Sequence, residues 1–513
     1  MPVSRRDIFQ ALSGAAVCGA AGSLIPLTRS DAQVTPEVVA LRPEMEPLVR
    51  LIENTPREKC AEMAVEQFRN GVSYRQFLGA LFLAGVRNVN PRPPGFAMHC
   101  VFVIHSAHLI SLEAPSEARW LPLFFALDNF KSAQDRDARQ AAGDYTMRPL
   151  AGSLPSPERA GPELGSAMEA WDIERAERAA AALARNRSAS EAFDLLWRYG
   201  ARDYRNIGHK AIYVANACRT LQAIGWQHAE PVLRSLVLSL LDFGKEQKVN
   251  GYALDDQCYA GNLKRVKEMF PRLAVTWASA AADVETTRGI LDVLRQATPD
   301  EACSELANRL VKGSAGAASV WDAVHLAAAE LRMRARSGAA ILAIHAVTSA
   351  NGLRYAYQSA PDPQLRFLVL LQAAGWMGQF RSFAESREGN LRPYRITDLV
   401  PAAADVPLER NLGEIFAGIP AKVDDSAARV FHLARSMAGR QAFLATALRF
   451  TAAKTEEVHF YKYLAAMIED IPLTSAEWQP HLLAATTYYV KGSNDAEPAA
   501  VKRAREALRS LAV

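Results

Sequence analysis

From residue 35 onward, apolar positions recur mostly at intervals of three and four, the spacing that keeps side chains on one face of an α-helix. MAVEQFRNGVSYRQFLGALFLAGV (63–86), PVLRSLVLSLLDFG (231–244) and QLRFLVLLQAAGWM (364–377) show the pattern clearly. Strict alternation over six residues, the mark of a half-buried strand, is hard to find. The pattern therefore predicts an all-α protein. Breaks fall at NPRPPG (90–95), in the Pro/Gly-rich stretch 143–165, near ATPDE (297–301) and over 386–422. Long irregular segments inside compact proteins are usually functional or mobile. The longest of these, 386–422, is expected to cover a site as a lid.

A second regularity has a longer period. HCVFVIHSAHLISLEAPSEARWL (99–121) aligns with HAVTSANGLRYAYQSAPDPQLRFL (345–368) almost without gaps. In that register His99 meets His345, His105 meets Asn351, and His108 meets Arg354. HKAIYVANACRTLQAIGWQHAEPVLRSL (209–236) fits as a third copy, with Asn216 and Arg219 at the later positions, and HFYKYLAAMIEDIPL (459–473) as a weaker fourth. Each unit reads as histidine, helix, turn, apolar helix. The expected architecture is a set of repeated helical hairpins in a multi-helix assembly, HEAT-like or closed on itself as a pseudo-repeat. Two histidine repeats fall in an N-terminal half, 33–296, and two in a C-terminal half, 297–513.

If four equivalent units close on each other, four equivalent histidines converge on the interior. His99, His209, His345 and His459 are the candidate metal ligands, and His105 and His108, three apart on one helical face, could add to them. Neutral imidazoles without thiolates suit iron, copper, zinc or nickel in a redox or Lewis-acid centre with an open position. The bland reading is that each histidine bonds a main-chain carbonyl at a helix start. Tyr213 and Tyr461, with Phe460, Tyr463, Trp120 and Trp376, are candidates to line an apolar substrate pocket, though aromatics at helical spacing are usually core. Arg219 and Lys462 are candidates to bind an anionic or carbonyl oxygen. Together Tyr213, Arg219, Tyr461 and Lys462 form the candidate catalytic set. Asp322-x-x-His325 and Glu456-x-x-His459 offer half of a ferritin-like di-iron site; for its bridging pair only Glu113, Glu230 and Glu330 are available, all flanked by surface-like sequence.

Composition narrows the classes further. Half of the 513 residues are hydrophobic and 22% are charged, as in a folded globular protein. The net charge is only +4, and basic residues never form a run of five, so no nucleic-acid footprint is visible. Outside the N-terminal segment the cysteines are Cys60, Cys100, Cys218, Cys258 and Cys303, an odd set with neither a disulfide framework nor a thiolate zinc spacing. GxGxxG after a strand, GxxxxGK[ST], GxSxG and HExxH are all absent, so dinucleotide, ATP and serine-hydrolase chemistry lack their usual anchors.

The chain opens with MPVSRRDIFQ, then the weakly apolar ALSGAAVCGAAGSLIPL and TRSDAQ. A twin arginine before a short apolar stretch and a small-x-small site reads as a Tat-type signal peptide, residues 1–32, cleaved after Ala32. It predicts a bacterial periplasmic or secreted protein that meets the Tat export machinery folded. No stable membrane insertion is expected after cleavage.

GFAMHCVFVIHSAHLISLEAP (95–115), LAIHAVTSANGL (342–353) and HFYKYLAAMIEDI (459–471) resemble segments of the questin oxidase-like family, covering the helical body in pieces. The resemblance implies an all-helical repeat assembly and an oxidative ring cleavage of Baeyer–Villiger type on a polycyclic aromatic ketone. It carries over His99, His345 and His459, while His209 rests on the internal repeat alone. It also implies a reduced nicotinamide cosubstrate, which an exported protein would not meet. The sequence thus leads to an exported, histidine-rich helical protein that binds iron, copper or zinc and oxidises a small aromatic or carbonyl substrate. A non-catalytic helical-repeat binding protein with structural histidines is the alternative, and a ferritin-like di-iron oxidase the second.

Overall fold

The computed structural model describes residues 38–139, 145–202, 204–242 and 253–510; residues 1–32, where a signal peptide is expected, lie outside them. Twenty-two α-helices account for the fold, and no strand occurs among the described residues. Local sequence sets the helix boundaries. Ser73 with Gln76, Ser188 with Glu191 and Thr298 with Glu301 form reciprocal capping boxes, each satisfying two otherwise unpaired N–H groups of a first turn. The Pro/Gly-rich stretch 143–165, expected to be a loop, runs into the helix Pro157–Ala170. Its opening proline follows Ser156, where a missing N–H costs nothing.

Four inner helices carry the architecture: His99–Glu113, His209–Ile224, Ala340–Ser359 and Val458–Asp470, the first to fourth. The first packs on the second, the second on the third, the third on the fourth, and the fourth back on the first. The repeat is therefore closed. Outer helices flank each one: Tyr74–Asn88 and Leu121–Asp137 the first, Ala189–Gly200 and Ala229–Leu240 the second. Ala317–Arg334 and Pro363–Glu388 flank the third, and Met437–Lys454 and Gln479–Thr486 the fourth. Each unit is thus an inner helix between two outer ones, one helix more than the hairpin read from the sequence.

This enclosure explains why the inner helices are apolar nearly all round. Phe102, Val103, Tyr213, Ala215, Ala346 and Leu464 are essentially inaccessible, and burying a side chain as large as Phe102 stabilises the fold by about 1.5–3 kcal/mol. The window Phe96–Glu113 is long and apolar enough to cross a membrane, yet it coincides with the first inner helix and 61% of it is buried. One hydrophobic cluster runs from Val39 to Ala507, so the halves 33–296 and 297–513 share a core and a ring.

Close approach of the second and third inner helices depends on Gly352. A Cβ there would lie 3.1 Å from the Ala211 carbonyl oxygen. Gly352→Val should therefore lower stability by about 1–3 kcal/mol, as overpacking does, and thermal unfolding by circular dichroism checks it. An unchanged midpoint would show that the helices can part without loss.

Of the expected lid only Arg387, in the last turn of the helix Pro363–Glu388, lines the cavity at the histidines, so the segment does not cover the site. Within 386–422, Ile396 N donates to Glu330 and Tyr394 Oη to Asp424, while Ala402 N donates to the Ala428 carbonyl. These bonds tie the segment to helices Ala317–Arg334 and Val423–Leu433. Part of the segment is itself helical, Leu408–Gly418, rather than irregular throughout.

Candidate metal centre

The histidines sit at or near the starts of the inner helices, and the chain is bent to put them there. Gly95 has φ +114° and Phe96 φ +42° just ahead of His99; Asn206, Ile207 and Gly208 have φ +56°, +50° and +80° ahead of His209. Left-handed backbone at Phe96 and Ile207 is strained, a feature that concentrates at functional sites. Gly95 is required twice over, because a Cβ would stand 3.1 Å from His209 Cε1.

Each imidazole is oriented from behind. His99 Nδ1 bonds the Phe96 carbonyl at 2.9 Å, His209 Nδ1 the Asn206 carbonyl, and His345 Nδ1 the Ile341 carbonyl at 2.7 Å. His459 Nδ1 bonds the carboxylate of Glu457, which also caps the helix by accepting from His459 N. A carbonyl oxygen only accepts, so these Nδ1 atoms carry the proton and Nε2 is left with a lone pair. Those lone pairs face one another. His209 Nε2 lies 3.0 Å from His99 Nε2 and 2.9 Å from His345 Nε2, and the three ligand atoms fall within 4.8 Å of one another. The His459 ring is centred 4.7 Å from that of His99 and 5.0 Å from that of His345. Its Nε2 has no hydrogen-bond partner among the described residues.

Lone pairs held 3 Å apart repel unless a cation lies among them. Metal–imidazole bonds of about 2.0–2.1 Å at right angles would separate two nitrogens by about 2.9 Å, the spacing seen on either side of His209. Donation of the other ring N–H to a carbonyl or carboxylate is also how metal-bound histidines are held. Three histidines are close enough to hold a metal ion, and a fourth adjoins them. Burial pushes the proton affinity of all four rings down, and the nearby Lys462 adds to this, which keeps the rings as neutral donors.

The imidazoles form part of the wall of a cavity of about 1000 Å³. Phe96, Ile207, Ile341, Leu342 and Phe383 make its apolar wall, and Arg136, Arg387 and Glu456 add charge. Phe96 is 74% exposed, an aromatic ring left in solvent on strained backbone.

The other candidates lie elsewhere. His105 Nε2 is 3.1 Å from Glu469 Oε1, and His108 Nδ1 is 3.2 Å from Tyr74 Oη. Six and nine residues past His99, both point away from its direction on a helix of 3.6 residues per turn. Tyr213 donates to Ser235 Oγ at 2.7 Å, one turn below the cavity. Tyr461, two residues past His459 and so nearly opposite it, stacks on Phe125 at 4.2 Å. Arg219 pairs with Glu469 at 2.8 Å and donates to Asn216 and Asn351. Neither tyrosine nor Arg219 lines the cavity. Of the candidate catalytic residues, Lys462 alone adjoins the imidazoles. It is buried, has no hydrogen-bond partner among the described residues, and desolvation pulls its pKa down to about 7.

The Asp322 and Glu456 pairs do not meet. Asp322 accepts from Ser475, His325 faces Asp470, and the one group of potential ligands among the described residues is made of imidazoles. Glu457 was not among the sequence candidates, although its place two residues ahead of His459 at a helix start is a visible signal.

Fold and site together define a class: a closed ring of helices whose inner N-terminal ends present histidines to a cavity. Compared with family models, curated proteins and solved structures, the chain finds no match in any of the three.

Proposed function

We propose that this protein is an exported, metal-dependent oxidoreductase acting on a small aromatic or carbonyl-bearing substrate. His99, His209, His345 and His459 would hold one transition ion, iron, copper or zinc. The observation that carries the reading is the convergence of Nε2 lone pairs whose Nδ1 protons are all engaged behind them. A bound ion would supply Lewis-acid or redox chemistry. Phe96, Ile207 and Ile341 would hold an apolar ring in the cavity, and Lys462 would stabilise negative charge at the centre. The likeness to the questin oxidase-like family supports oxidation of an aromatic ketone, and the Tat-type signal supports a periplasmic or secreted location.

Metal content of the purified, folded chain tests this. After dialysis against a weak chelator, mass spectrometry should find about one transition ion per chain, as a closed site with several imidazole ligands retains its metal. A chain that stays empty after incubation with iron, copper and zinc would leave only a helical scaffold with structural histidines.

A further inference from the structure

We infer that the inner face of the histidine centre, opposite the cavity, is a binding site for a small anion, hydroxide in the resting protein, held by Lys462 and Thr348. The inference rests on the metal reading above.

The argument is one of register and unpaired atoms. One helical turn past each histidine, the ring carries Phe102, Tyr213, Thr348 and Lys462. Phe102 fills its quarter with an aromatic ring, and the Tyr213 hydroxyl is engaged by Ser235. Thr348 and Lys462 lie on the third and fourth inner helices, which are neighbours. Thr348 Oγ1, Lys462 Nζ and His459 Nε2 are all buried without a hydrogen-bond partner among the described residues. The Lys462 ammonium stands 5.8 Å from the ring centre of Phe102 on the neighbouring first inner helix, and its charge acts on His99, His209 and His345 as well as His459, so it lies close to the centre.

Leaving such groups unpaired is costly, and buried polar groups are normally paired or bridged by water. The next layer cannot serve them. His105, Arg219, Asn351 and Glu469 bond one another there. One small ligand touching the ion, Lys462 and Thr348 would satisfy both protein groups at once. Its charge follows from the metal cation, because the oxygens of the adjacent Glu457 are already held by His459 and Tyr489, while Lys462 and Thr348 supply the hydrogen-bond donors. The site thus has two faces, an open one for an organic molecule and a closed one for a small anion.

Azide is the probe. The full-length protein, loaded with Co(II), is titrated with azide while the visible d–d bands are followed. Lys462→Met should weaken azide binding at least tenfold and Thr348→Val severalfold, with cobalt content and circular dichroism unchanged. Azide affinity unaffected in both variants, with cobalt retained, would overturn the inference and leave the metal reading standing. A wild-type chain that takes up no cobalt would overturn both.

Discussion

His209→Ala should weaken metal binding by about 100-fold or more, since loss of a mere supporting partner behind a ligand already costs 10–100-fold. His209 is the hub of the group: its Nε2 is the atom that lies within 3.0 Å of both His99 Nε2 and His345 Nε2. Glu457→Gln, which keeps the shape but removes the charge behind His459, should fall in the 10–100-fold range itself. His105→Ala and His108→Ala should leave affinity unchanged, because Glu469 and Tyr74 hold those rings away from the centre. Competition against a chelator of known affinity gives all four numbers. Stability separates ligand from scaffold. Metal-free His209→Ala should unfold close to the metal-free wild type, because the lost ring relieves facing lone pairs. An ion at a thousand times its dissociation constant should raise wild-type stability by about 4 kcal/mol, and the variant should not share that gain. Equal metal affinity for His209→Ala and His105→Ala would remove the basis of the proposed site.

The repeat was legible in the sequence because its signals are local or periodic. Inner helices enclosed on every side must be apolar nearly all round, and each begins at or near a histidine, so period and repeat could both be read. Closure did not follow from the repeat, which equally allowed an open HEAT-like stack with capped ends; the packing of the fourth inner helix on the first decides it. The orientation of individual side chains was harder. His105 and His108 look like further ligands in a histidine-rich string, but helical geometry turns them by most of half a revolution from His99. Tyr461 fails for the same reason, being two positions from His459. Arg219 could be read as an anion binder, while its actual partner, Glu469, lies 250 positions away on another inner helix. Such pairings depend on the axial offset between helices, and no spacing within one helix encodes it. Glu457 lies between these cases. Its proximity to His459 is visible, but the orienting role appears only once the helix start is fixed.

Asp470→Asn should become more stable relative to the wild type as pH rises, by about 3–4 kcal/mol between pH 5 and pH 8 in the metal-free protein. Two adjacent carboxyl groups at the end of the fourth inner helix are held in opposite states. Glu469 is paired with Arg219 and bonded by His105 and Asn351; although burial works against it, these partners bring its pKa down to about 2. Asp470 is fully enclosed, accepts from Asn351 Nδ2 at 2.9 Å and faces His325 at 3.5 Å; burial, reinforced by the Glu469 charge, raises its pKa to about 8. The folded chain therefore keeps a proton on Asp470 that the unfolded chain releases above its ordinary 3.8. Where the folded state binds more protons, stability falls with rising pH, by up to about 1.4 kcal/mol per unit, until the folded group itself titrates. Glu469 has the opposite sign: its contribution is present above pH 4.5 and is lost only as pH falls towards 2, outside the window. Lys462 and the buried histidines also titrate differently in the two states, with stability rising with pH, so the wild-type curve alone mixes several slopes. The difference between Asp470→Asn and wild type cancels those terms, since the amide has the shape of the protonated acid and no proton to lose. Urea unfolding of both proteins at three pH values measures it. Parallel curves would mean that Asp470 is ionised in the folded protein, and that water or a cation reaches a position the fold encloses.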